Sequence, residues 1–264
     1  MAQLGTKSSA IGLAIAISLT SCGPVDVKPI PESDIPHMDV FTGDIQKIIG
    51  AAQVSFAPSS GNWVGCSTTK SVAYDPKLAS VNSYVSVCGT EAMVSTANGL
   101  EYVVHALSAG QPSRPVDALM KIAIDRVGRA TGFTAFQNGI YDTELAGVTE
   151  KYYIYPMPFK EGGYRQGEVV RLISGRMWMK DDSASGDIAL YLSGQSLIDG
   201  RPVYVVKSDI STIYKSQLKG FVKISFYIEQ ASGLIVRSDA EAVFRLNDGP
   251  PIMAMVTSQN YRLR

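Results

Sequence analysis

Histidine is scarce in this chain, and so are the residue patterns that carry most enzyme chemistry. Only two of its 264 residues are histidines, His37 and His105. The sequence contains no His-Glu-x-x-His zinc motif, no Walker A loop, no Gly-x-Gly-x-x-Gly turn and no Gly-x-Ser-x-Gly elbow. We therefore expect a non-enzymatic protein with no metal and no cofactor, in which His105 is a partly buried, hydrogen-bonded residue rather than a catalytic one.

Two weaker motifs do not change this expectation. The Ser-x-x-Lys pattern of penicillin-binding proteins and serine β-lactamases occurs twice, at Ser67 and at Ser216, without the Lys-Thr-Gly or Ser-Asp-Asn motifs that accompany it there. Asp181, Asp182 and Asp187 surround a short polar segment, but their spacing does not match a calcium-binding loop. A solvated turn is the simpler interpretation of the three aspartates.

The chain also carries no net charge at pH 7. Lysine plus arginine number 24, and aspartate plus glutamate also number 24, with no basic run. A balanced chain of this kind offers no electrostatic footprint for nucleic acid.

Long apolar runs are absent, but a short one lies near the N-terminus, after Lys7. Residues 10–19 are uncharged and mostly apolar. A helix of that length spans roughly 15 Å, about half of a bilayer's hydrocarbon core. The segment is therefore too short to cross a membrane and is typical of the apolar region of a secretory signal. Leu19-Thr20-Ser21-Cys22 follows it directly.

This arrangement resembles the lipobox of bacterial lipoproteins, where a leucine, two small residues and a cysteine are recognised by the lipoprotein signal peptidase. The resemblance implies that residues 1–21 are a signal peptide, and that Cys22 becomes a lipidated N-terminal residue holding the protein on a membrane. An aspartate after the cysteine retains such proteins in the inner membrane of well-studied Gram-negative bacteria. Gly23 stands there instead, which favours the periplasmic side of the outer membrane.

Residues 22–40 are predicted to be a tether, because prolines at positions 24, 29, 31 and 36 interrupt a mostly polar stretch. Extended proline-rich chain rises ~3.1 Å per residue, so the tether could hold a domain roughly 50 Å from the membrane. Residues 41–264 are then long enough for one extracytoplasmic domain with a sizeable core.

Only two cysteines remain in that domain, Cys66 and Cys88. Export to an oxidising compartment predicts a disulfide between them. The alternative is two separate buried thiols; no Cys-x-x-Cys pattern suggests a redox pair.

The predicted fold class is α+β. Two or three helices are expected over about 41–140, packed on an antiparallel meander of about six strands over about 141–264. A short helix after Thr42 would carry Ile45, Ile48 and Ile49 on one face. Two longer helices rest on apolar residues spaced three and four apart, namely Met93, Ala97, Leu100, Val104 and Leu107, then Val116, Leu119, Ala123, Val127 and Ala130.

The strands are predicted from alternation of apolar and polar residues, which is clearest over 221–230 and 234–246. Asp199-Gly200 and Ala231-Ser232-Gly233 are expected turns between strands.

Aromatic residues cluster with prolines in one stretch, and the cluster has two interpretations. It comprises Tyr152, Tyr153, Tyr155, Phe159 and Tyr164. A rigid aromatic edge can bind a glycan, a peptide or a protein. An edge strand whose aromatics pack into the core is the favoured alternative.

Together these features predict a structural, assembly or adaptor lipoprotein of the cell envelope, with an envelope protein as partner. The alternative is a carrier of lipid or another apolar ligand, held in a cavity between sheet and helices. An unfilled apolar cavity would favour the carrier, and a filled core the adaptor.

Overall fold

The computed structural model describes most of the chain after the predicted tether. The described residues are 48–50, 53–54, 61–73, 81–108, 117–125, 130–143, 146–147, 162–179, 181–233 and 235–263. Cys22 and the predicted signal peptide and tether lie outside them, so the anchor stays a prediction.

Thirteen strands account for most of the described residues. They are β1 (Gly61–Ala73), β2 (Val81–Thr96), β3 (Gly99–Ser108), β4 (Asp117–Asp125), β5 (Ala130–Gln137), β6 (Ile140–Tyr141), β7 (Val169–Ser174), β8 (Asp187–Ile198), β9 (Arg201–Ser208), β10 (Ser211–Lys215), β11 (Leu218–Glu229), β12 (Ile235–Leu246) and β13 (Pro251–Leu263). A five-residue helix, α1 (Gly175–Met179), lies between β7 and β8. No described helix is long and apolar enough to span a bilayer.

All thirteen strands belong to one antiparallel sheet. Its order is β6-β5-β4-β3-β2-β1-β13-β12-β11-β9-β8-β7, so two meanders join where β1 pairs with β13. Strand β11 pairs with β10 along its first half and with β9 along its second. Strands β9 and β10 thus follow one another along the same edge of β11.

The prediction of an α+β fold is wrong, because the expected helices of the first half are strands. Met93 lies in β2, Ala97 in a two-residue turn, and Leu100, Val104 and Leu107 in β3. Leu119 and Ala123 lie in β4 and Ala130 begins β5, while Val116 and Val127 fall outside the described residues. Ile48 and Ile49 belong to an extended segment; Thr42 and Ile45 are outside the description.

Period-two burial explains the strand at β4. Met120, Ile122 and Ile124 are all nearly inaccessible to solvent, whereas Ala123 between them is exposed. Side chains of a strand alternate between its two faces, so this pattern belongs to a half-buried strand.

The strands expected over 221–230 and 234–246 are present as β11 and β12, within a second half that runs from β7 to β13. Alternate residues of β11 and β12, among them Val222, Ile224, Ala242 and Phe244, pack together with Ile188 and other buried residues of β8. We call this apolar cluster the main core. Trp178 and Met179 of α1 join the same core. Gly220 is needed here because a Cβ would stand 2.8 Å from the Phe244 ring, closer than carbon atoms approach without strain.

Candidate functional site

A buried ion pair lies on the face of β12 that points away from the main core. Arg237 and Asp239 are two residues apart and therefore share that face. The Arg237 Nε–H donates to both carboxylate oxygens of Asp239, at 3.0 and 2.8 Å, and the two side chains are 4% and 0% exposed. Ser258, opposite Asp239 on β13, donates its hydroxyl to Oδ1 at 2.6 Å. These contacts connect β12 to β13.

Burial is the main cause of the pKa shifts in this network. Loss of hydration raises the pKa of Asp239 above its ordinary value, although the Ser258 hydrogen bond and the Arg237 charge act in the opposite direction. Tyr227 stands opposite Arg237 on β11, with the guanidinium carbon 5.9 Å from its ring centroid. Burial raises the pKa of Tyr227 to about 12, so this phenol stays neutral near pH 7.

A second buried carboxylate lies nearby. Glu229, 5% exposed at the end of β11, accepts a hydrogen bond of 2.6 Å from the Ser232 hydroxyl in the following turn. The Arg201 guanidinium at the start of β9 lies 3.6 Å from its other oxygen. Both networks connect neighbouring strands, β12 with β13 and β9 with β11.

The first described residues, 48–50, dock against β8; we call this segment the strap. Ile49 N–H donates to the Gln195 carbonyl and Gln195 N–H donates to the Ile49 carbonyl, both at 2.9 Å. The Gln195 side-chain amide also donates to the Gly50 carbonyl at 3.2 Å. Sequence analysis missed this contact because it joins residues about 145 positions apart.

The strap lies on a small apolar group that we call the outer cluster. Its members are Ile198, Val203, Val205, Tyr227 and Val236, and Ile48 packs against them. The outer cluster shares the Tyr227 side chain with the buried ion-pair network.

A shallow surface depression of about 330 Å³ lies beside α1, lined by residues 174–176 and 184–187. Its lining is mostly polar side chains and glycine, so it does not match the apolar cavity expected of a lipid carrier.

The aromatic stretch is only partly described. Tyr152, Tyr153, Tyr155 and Phe159 lie outside the described residues, so their role as a binding surface stays a prediction. Tyr164 is 5% exposed and packs in the main core, where its backbone pairs with Val54. Burial, with a smaller contribution from Glu168, raises the pKa of Tyr164.

Cys66 and Cys88 are direct partners in the antiparallel register of β1 and β2. Partnered Cα atoms in such ladders are about 4.5 or 5.5 Å apart, depending on the hydrogen-bonding position. Both distances fall within the range that a disulfide spans. The side chains themselves are outside the description, so the bond stays a prediction that the backbone register favours.

The remaining candidates occupy ordinary structural positions. Ser67 and Lys70 lie along β1, where residues three apart are roughly 10 Å distant. Ser216 is a turn residue with φ of 55°, and Lys219 pairs with Asp248 at 3.0 Å. Half-buried His105 sits in β3 opposite Thr90 and Leu119.

The aspartates after α1 also make local contacts. The Lys215 ammonium lies 2.6 Å from the carboxylate of Asp181, and Ser183 donates to the same carboxylate. These hydrogen bonds lower the pKa of Asp181. No group of three or more potential metal ligands occurs among the residues that the structure describes.

Comparison with known proteins adds no assignment: no family model matches the chain, and no curated protein matches it significantly.

Proposed function

We propose that this protein is a lipid-anchored bacterial lipoprotein, held by Cys22 on the periplasmic side of the outer membrane. Its domain acts without catalysis, as a structural, assembly or adaptor component that binds another envelope protein. The observation that carries the anchoring proposal is the tetrapeptide Leu19-Thr20-Ser21-Cys22, placed directly after a short apolar segment.

Packing of the main core supports the adaptor role. Phe244, Val222 and Ile213 are completely buried, and the Phe244 ring fills the space that a side chain at position 220 would need. A carrier would need open apolar volume at such a place. The filled core around Phe244 therefore favours the adaptor over the carrier.

Anchoring is tested by Cys22→Ser, because only a thiol accepts the diacylglycerol. Cells grown with an alkyne analogue of palmitate should label the wild-type protein and leave the variant unlabelled. The variant should also keep its signal peptide, which intact mass measurement would show as an extra 21 residues, positions 1–21.

Ser21→Ala is the matched control, because it keeps a small residue before the cysteine and should be labelled like wild type. Equal labelling of wild type and Cys22→Ser would overturn the lipoprotein proposal.

A further inference from the structure

The strap is attached to β8 by few interactions. Among the described residues, its backbone makes one bridge, Ile49 with Gln195, and there is one side-chain hydrogen bond to Gly50. Ile49 is 58% exposed, whereas Ile48 is partly buried on the outer cluster. The next described residues are held more firmly, because Val54 is buried and exchanges two backbone hydrogen bonds with Tyr164. A contact as small as that of the strap can open locally while Val54 and the long strands stay in place.

β8 is shaped to accept the strap at one residue. Gly194 has a φ of 150° and follows the point, after Leu192, where the pairing of β8 with β9 shifts register. A Cβ at this position would stand 2.2 Å from the Ile49 carbonyl oxygen and 2.9 Å from the Ile48 side chain. The absence of a side chain therefore lets an extended segment approach β8 closely.

The surface under the strap has the two features of a strand-binding site. Gln195 offers a backbone donor and a backbone acceptor, both used by Ile49. The outer cluster offers an apolar contact, used by Ile48. Proteins that bind peptides by strand addition combine these elements: main-chain hydrogen bonds for affinity and a side-chain pocket for specificity.

We propose that Gly194, Gln195 and the outer cluster form a strand-binding site, which the chain's own strap occupies. Its other ligand is an extended segment of a partner protein with an aliphatic residue where Ile48 lies. The strap begins eight positions after the last residue of the predicted tether, so partner binding at this site would release the described segment nearest to the tether. This inference rests on the proposed adaptor role but does not depend on lipidation.

Strap release is measured by hydrogen exchange on the purified mature protein. The amides of Ile49 and Gln195 should exchange at similar rates, because each is hydrogen-bonded to the other residue's carbonyl. Ile48→Asp should accelerate both by about tenfold or more, since it places a charge against the outer cluster. Ile49→Asp is the matched control and should leave both rates nearly unchanged, because that side chain is exposed.

Binding is measured with a fluorescent synthetic peptide of residues 44–54. Its affinity for Ile48→Asp should exceed that for wild type by about tenfold, because the wild-type site is already occupied. Adding Gly194→Ala to Ile48→Asp should abolish binding by blocking the approach to β8. Adding Gly200→Ala should not, because that glycine also has positive φ but a Cβ there meets nothing within 4 Å.

Two results would overturn the proposal. One is a Gln195 amide that stays protected in Ile48→Asp while Ile49 exchanges freely. The other is a peptide that binds wild type and Ile48→Asp equally, or binds neither. Each result leaves the palmitate-labelling test of the anchor unaffected, so failure of the strand-binding site can be told apart from failure of the lipoprotein proposal.

Discussion

At the scale of single residues, β12 carries charges where a buried strand would ordinarily carry apolar side chains. Moving an ion out of water costs several kcal/mol, and a buried pair recovers this only through close contacts. Burial raises the pKa of Asp239 above the ordinary value of 3.8. The stability that this carboxyl group contributes is therefore fully present below pH 3.8 and falls as the pH rises toward the raised pKa. Arg237 and Ser258 offset part of that cost through their hydrogen bonds.

Removing one member of the ion pair should therefore destabilise the fold more than removing both members. We expect Arg237→Met and Asp239→Leu each to lower the free energy of unfolding by roughly 3–5 kcal/mol, because each leaves an uncompensated buried group. The double variant Arg237→Met/Asp239→Leu should be closer to wild type. Urea unfolding measures all three.

Asp248→Asn is the control for this series, since Asp248 is almost fully exposed and its loss should hardly change stability. Additive losses in the double variant would show that Arg237 and Asp239 act independently.

At the scale of elements, the first half shows how a spacing can mislead. Apolar residues three and four apart predict a helix, yet a spacing of four also occurs between residues on one face of a strand, and a spacing of three between residues on its two faces. Asn138-Gly139 is a signal that pointed to strands in this half, because Asn-Gly is strongly preferred in two-residue hairpin turns. Asn138 and Gly139 adopt φ of 52° and 78°, as the turn between β5 and β6 requires.

Hairpin register also sharpens the disulfide prediction. Cys66 opposite Cys88 on adjacent strands should give a peptide pair linked by one disulfide when unreduced, freshly isolated protein is digested and weighed. In the chain-entropy account, closing a loop of about 23 residues stabilises a fold by roughly 3 kcal/mol.

Cys66→Ser should therefore lower stability in oxidised protein but behave like wild type once both are reduced. Two alkylatable thiols in the native protein would contradict the disulfide.

At the scale of the whole molecule, one continuous sheet joins both halves of the domain. The N-terminal meander reaches the C-terminal one through the pairing of β1 with β13, the last strand of the chain. The main core then lies on one face of the C-terminal strands, with the strap and the buried ion pair on the other. Strands buried on both faces suit a rigid support better than a flexible ligand cavity.

Truncation of the core distinguishes support from carrier. Phe244→Ala should cost about 3–5 kcal/mol, because a fully buried ring is lost from a packed site. Phe226→Ala should cost less, since Phe226 is only partly buried against the same core. Thermal unfolding and lipid extraction of the purified variants provide the measurement.

Near-wild-type melting of Phe244→Ala, together with lipid lost from the preparation, would favour the carrier. It would show that the ring lines a ligand cavity rather than a filled core.

The sequence alone determined the features that depend on neighbours along the chain. Alternation located β11 and β12, and Asp199-Gly200 located the turn between β8 and β9. Tertiary structure decided what lies on the second face of β12, where charged residues that alternation would assign to solvent are buried. It also decided where the strap docks, because Ile49 and Gln195 meet only after the sheet has formed. Burial on a second face depends on surfaces distant in sequence, which no local pattern records.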